Sequence, residues 1–211
     1  MRSKHIKLLA GILFVFAFLS CSKVKPTKVL PVYGDKKEVN GDTLFHTIGQ
    51  FNFVDQDGEK VTNELVKDRI YVANFFFATC ESICPEMSKN LNKVQEAFDK
   101  DDSVLILSHS VNPKHDTVEV LKQYADLYKA KKGKWHFLTG DKKQIYDLAL
   151  KSYLVNALED DGSAEGFLHS EMLLLIDKKG RIRGMYDGTD LPAVLKLNED
   201  IKLLKKEDPS L

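Results

Sequence analysis

Cysteine is scarce in this 211-residue chain, which holds three: Cys21, Cys80 and Cys84. So few cannot staple a small disulfide scaffold, and a bridge between Cys80 and Cys84 would close too short a loop to constrain the unfolded chain much. Net charge is also missing. The 31 basic side chains balance 31 acidic ones, so no basic field argues for nucleic acid and no acidic excess argues for disorder. Repeats and low-complexity blocks are absent, and the apolar run from Leu8 to Leu19 is too short to cross a bilayer comfortably. What is present is an ordinary globular composition, 43% hydrophobic and 29% charged, able to bury one substantial core.

The first twenty residues place Arg2, Lys4 and Lys7 before the apolar run, then Ser20 and Cys21, in the order of an export signal. Small residues before a cysteine, with polar sequence after it, resemble a bacterial lipoprotein signal. Residues 1–20 would be removed, Cys21 would carry lipid, and residues 21–43, rich in Lys, Pro, Gly and Asp, would form a flexible tether. The folded domain is expected over residues 44–211, outside the cytoplasm at a bacterial cell envelope. Lipidation of Cys21 leaves Cys80 and Cys84 as the only thiols of that domain.

Both thiols follow a run, Ile70 to Phe77, of β-branched and aromatic residues that suits a central strand buried on both faces. Met87, Leu91, Val94 and Phe98 then recur at helical spacing, and Pro85 is tolerated only in a first turn, so a helix is expected to begin near Pro85. Cys80 and Cys84 thus sit in a strand-to-helix turn, where α/β sheets place their ligands.

The remaining pattern alternates strands with helices. Ile48 to Val54, a turn at Asp55 to Gly58 and Lys60 to Thr62 form a hairpin ahead of the central strand. Val104 to Ser108 is the next buried strand, and Asp116 with Glu119 can cap a helix whose apolar face is Val120, Leu121, Tyr124, Leu127 and Tyr128. Trp135 to Leu138 is a strand, and Asp141 with Gln144 caps a helix that turns Ile145, Leu148 and Ala149 inward. After an acidic loop, Glu159 to Gly166, come the paired strands Met172 to Ile176 and Arg181 to Tyr186, and then a helix from about Leu191. These elements predict an α/β fold: a thioredoxin-like sandwich with a central mixed sheet flanked by helices and an N-terminal β-hairpin.

Two thiolates suit copper(I), and an imidazole is a good third ligand where copper(II) must be held too. His5 leaves with the signal, His46 lies near the tether, His109 and His115 flank the Asn112-Pro113 turn, and His136 beside Trp135 fits a packing role. His169, in the loop just before the Met172 strand, is the best placed by sequence.

Three segments then carry a resemblance: Ile70 to Met87 with its C-x-x-x-C-P motif, Leu107 to Thr117, and Leu168 to Asp177. Together with Leu138 to Asp141 they resemble the Sco/SenC family of thioredoxin-fold copper chaperones, from about Phe51 to about Leu204. The resemblance implies copper bound by Cys80, Cys84 and His169, and a client that is the dinuclear copper site of cytochrome c oxidase. It further implies a chaperone that delivers copper to, or matures, that respiratory oxidase subunit; with the lipid anchor at Cys21 and the balanced charge, the expectation is a membrane-held monomer with no nucleic acid partner. The chain departs from the family pattern at Asn112, His115 and Leu168, where the family often has Asp, Arg and Asp. A carboxylate missing beside the ligand histidine changes how the imidazole is oriented.

The competing function is thiol-disulfide exchange by the redox pair Cys80 and Cys84 on client cysteines. Against it stand the C-x-x-x-C spacing and the lack of a proline before Met172, where thioredoxins carry a cis-proline for substrate docking.

Overall fold

The computed structural model describes residues 29–155 and 170–207. The first elements are two short strands, β1 (Lys36–Val39) and β2 (Asp42–Phe45), which pair antiparallel as a separate exposed hairpin. Composition alone assigns this stretch to the tether. The hairpin forms because Asn40 and Gly41 both take positive φ, the geometry a tight two-residue turn requires.

The main sheet has seven strands, in the order β4, β3, β7, β6, β5, β8, β9. β3 (Asn52–Asp55) and β4 (Lys60–Thr62) are the expected hairpin, followed by a single turn of helix, α1 (Asn63–Val66), which the pattern did not suggest. β5 (Ile70–Phe76) is buried along its whole length, as its composition demands. It pairs parallel to β6 (Val104–Ser110), which pairs parallel to β7 (Trp135–Thr139). On its other side β5 pairs antiparallel with β8 (Met172–Ile176), and β8 with the edge strand β9 (Ile182–Asp187). The sheet is therefore mixed and the fold thioredoxin-like.

Helices cover both faces. α2 (Ile83–Ala97) buries Met87, Leu91 and Val94, and α5 (Leu191–Glu207) buries Val194, Leu197, Ile201 and Leu204. The two helices are held together by apolar contact and by Asn198, whose amide donates to the Lys93 carbonyl at 3.3 Å. α3 (Val118–Leu127) lies on the same face, with Tyr124 against Phe76 and Phe137. α4 (Lys142–Lys151) is capped by Asp141, which accepts from the Gln144 N–H at 2.9 Å, and turns Ile145, Leu148 and Ala149 inward as expected.

Two local expectations differ. α2 starts at Ile83 rather than Pro85, so Pro85 is its third residue, where it still lacks no needed hydrogen bond. The cap of α3 is Thr117, and Leu127 of the expected apolar face is 69% exposed because the helix ends there. The Glu159 to Gly166 loop lies outside the described residues. Among the described residues no helix is long and apolar enough to cross a membrane.

Candidate metal centre

β5 ends at Phe76, and the chain turns at once toward α2. The Val111 N–H donates to the Phe76 carbonyl at 2.8 Å, which holds the loop after β6 against the end of β5. Cys80 closes the turn by donating its N–H to the Phe77 carbonyl at 3.1 Å, and Cys84 is the second residue of α2. Both cysteines are free thiols and both are buried.

Their protonation is unequal. Burial pushes the Cys80 thiol up, but hydrogen bonds from the Cys84 side chain, the Ser82 hydroxyl and the N–H groups of both residues outweigh it and hold Cys80 below its ordinary range. The Ser82 hydroxyl stands 3.5 Å from the Cys80 sulfur. Ser82 makes no side-chain cap for α2, so the helix start offers its free N–H groups to that sulfur. Burial acts on Cys84 too, and there donation to Cys80 and repulsion from Cys80 and Asp116 add to it, so Cys84 keeps its proton well above the usual thiol range. Cys80 is thus the more acidic of the two thiols.

A buried carboxylate positions the loop. Asp116 is fully buried, and its Oδ2 accepts from the Ala78 N–H at 3.1 Å and from the Ser110 hydroxyl at 2.6 Å, while its Oδ1 stands 2.9 Å from the His115 Nδ1. Sequence reasoning gave this residue a capping role and missed its bracing one. The available signal was Thr117, a competent cap on its own that leaves the acid free for other use.

The histidines separate cleanly. His136 pairs with Asp55 at 2.9 Å, which confirms a packing role, and the His46 Nε2 stands 2.7 Å from the Ser152 carbonyl oxygen. His109 lies fully buried among Phe51, Phe53, Phe75 and Tyr153, and burial drops its pKa to about 3. Neither of its ring nitrogens has a partner among the described residues. His169 and Cys21 lie outside the described residues. The described chain resumes at Ser170, two residues before β8, and β8 runs antiparallel to β5, so it resumes at the cysteine end of the sheet. Among the described residues no third His, Cys, Asp or Glu completes a metal-holding group with the thiols.

Two soft sulfur donors in mutual contact can take a soft cation, or can be oxidised to a disulfide. The fold and this site define a thioredoxin-like protein with an asymmetric, buried C-x-x-x-C dithiol at the start of a helix. Residues 39–202 match the SCO1/SenC family, and the chain belongs to that family.

Solved structures of relatives agree. A SCO1/SenC family lipoprotein from Bacillus anthracis is 27% identical, with a TM-score of 0.68 over 75% of this chain and 95% of that one. BsSco, a member of the Sco family of cytochrome c oxidase assembly proteins in which a disulfide switch was identified, is 29% identical, with a TM-score of 0.66 over 77% and 95% of the two chains. ScoI of Bradyrhizobium japonicum, solved with copper bound, is 25% identical, with a TM-score of 0.61 over 74% and 98%.

Proposed function

We propose that this chain is a membrane-tethered copper chaperone that delivers copper to, or matures, the dinuclear copper site of cytochrome c oxidase. Cys80, Cys84 and His169 are its copper ligands. The observation that carries this reading is the dithiol itself: two free, buried sulfurs at the start of α2, with Cys80 held below its ordinary range, form a soft donor pair for copper. The copper-bound Bradyrhizobium protein and the oxidase-assembly role of BsSco support it. His169, one residue before the described chain resumes at the cysteine end of the sheet, supplies the nitrogen that copper(II) requires. Cleavage before Cys21 and lipid on its sulfur would hold the domain, residues 44–211 as a monomer, at the outer side of a bacterial membrane, a reading the lipoprotein from Bacillus anthracis supports.

Copper titration of the reduced protein tests this directly. One copper per chain is expected, lost on replacement of either thiol, and undiminished binding by a Cys80→Ser, Cys84→Ser double variant would refute it.

A second reading has its own observation. A depressed Cys80 and a raised Cys84 are the attacking and resolving thiols that disulfide exchange uses. Cys80 thiolate would attack a client disulfide and release one client thiolate. Cys84, giving up its proton, would then displace the second, leaving a Cys80–Cys84 disulfide and a client reduced by two electrons. The same pair thus serves either role, and copper would be excluded from the oxidised form.

A further inference from the structure

The segment that precedes the domain does not hang free from it. Arg183, near the start of β9, is 4% exposed, and its guanidinium reaches four partners. Nε donates to the Pro31 carbonyl at 2.9 Å, Nη2 donates to the Leu30 carbonyl at 2.8 Å and to the Glu207 carboxylate, and Nη1 donates to Asp177 Oδ2 at 3.1 Å. The other Glu207 oxygen accepts from the Leu30 N–H, and the Tyr33 N–H donates to the Ile182 carbonyl at 2.9 Å, covering the open edge of β9. The Leu30 side chain is buried as well. Releasing residues 30 and 31 would leave a buried guanidinium without two of its acceptors, so the contact resists opening far more than an exposed ion pair does.

The latch stands at a defined end of the molecule. Ile176 pairs with both Tyr71 and Ile182, so Arg183 is beside the start of β5, while Cys80 follows its far end. Residues Tyr71 to Phe76 of that strand put roughly 17 Å between the two ends. Lys179 and Lys206 are exposed around the latch, have no ion pair among the described residues, and line one groove with Val29 and Leu30. The sequence from Ser22 to Lys28 adds Lys23, Lys25 and Lys28 and no acid. From Cys21 to Val29 a fully extended chain reaches about 28 Å at most.

We propose that the Arg183 latch sets the pose of the domain on an anionic lipid surface, with Lys179 and Lys206 against the headgroups and the Cys80–Cys84 thiols facing away from the bilayer. This rests on lipidation of Cys21. Lys179 and Lys206 flank the point where the seven residues before Val29 enter, themselves polar or basic apart from Val24 and Pro26, so the basic side of the domain and its anchor coincide. A partner would therefore meet the thiols from above the membrane.

The full, processed chain is reconstituted in vesicles of neutral lipid with about 30 mol% anionic phosphatidylglycerol. A photo-crosslinking amino acid is placed at Lys179 or at exposed Glu81 beside the thiols, and backbone hydrogen exchange is followed at Leu30 and Tyr33. Lipid adducts at least about tenfold more abundant from position 179 than from 81 are expected, and about a hundredfold slower exchange at Leu30 and Tyr33 than at the exposed β1–β2 turn. Glu207→Gln, milder than replacing buried Arg183, should speed Leu30 exchange at least about tenfold and narrow the adduct ratio. Equal adducts from both positions would overturn the pose, and rapid Leu30 exchange in the wild type would overturn the latch. A mass lacking acyl chains at Cys21 refutes the anchor and with it the pose, while Leu30 protection still decides the latch separately.

Discussion

Asp116, fully buried after β6, accepts the backbone N–H of Ala78 at 3.1 Å, two residues before Cys80. One carboxylate thus joins the loop that carries the first thiol to the loop that follows the neighbouring strand. Its partners are Ala78, Ser110 and His115, so its removal strands several buried polar groups at once.

Asp116→Ala should therefore destabilise the protein by about 3 kcal/mol, and Asp116→Asn by about 1–2 kcal/mol, because an amide replaces one acceptor oxygen with a donor. Urea unfolding measures this. Both variants should also weaken copper binding more than a Leu91→Ala variant of matched stability, since Leu91 lies on the buried face of α2 away from the Cys80 turn.

The depressed Cys80 depends on donors that Cys84 supplies. Alkylation of Cys80 by iodoacetamide should show a midpoint below the ordinary thiol value in the wild type. In Cys84→Ala the midpoint should rise, and the neutral-pH reaction should slow as the thiolate fraction falls. An unchanged midpoint would show that the helix start alone sets the thiol.

His109 makes stability pH-dependent. Its folded pKa of about 3 lies below its unfolded value of about 6.5, so the unfolded state binds a proton that the folded state refuses. The folded protein therefore loses stability as pH falls from about 6.5 toward 3, by roughly 2 kcal/mol at pH 5. His109→Phe, in an aromatic surround that already holds Phe51, Phe53 and Phe75, should remove that share of the acid sensitivity. Unfolding followed at pH 7 and pH 5 for both proteins gives the answer.

His169→Ala should separate copper handling from disulfide exchange. Copper(II) affinity should fall by at least about tenfold and copper(I) affinity less, because two thiolates still satisfy the softer ion. The thiols should stay titratable, and acidification below about pH 6 should weaken copper(II) binding in the wild type as imidazole protonates. Normal binding of both ions together with lost reduction of client disulfides would reject the chaperone reading in favour of the oxidoreductase one.

Much of this protein was legible in one dimension. The apolar run Ile70 to Phe77 declared a doubly buried strand, the spacing of Met87, Leu91 and Val94 declared the face of α2, and Asp141 with Gln144 declared a cap, because each signal lies within one or two turns of chain. The C-x-x-x-C-P motif placed the thiols at a strand-to-helix turn for the same reason. Polar composition assigns residues 30–43 to the tether because it does not reveal that Leu30 finds a distant arginine or that Asn40 and Gly41 turn a hairpin. Only tertiary structure could decide that Asp116 braces Ala78 rather than capping α3, that His109 is shut inside aromatic rings, that Cys80 and Cys84 divide their protons unequally, and that Arg183 holds Leu30 across 153 residues. Those outcomes depend on desolvation and on partners brought together by strand pairing, and neither quantity exists until the sheet has formed.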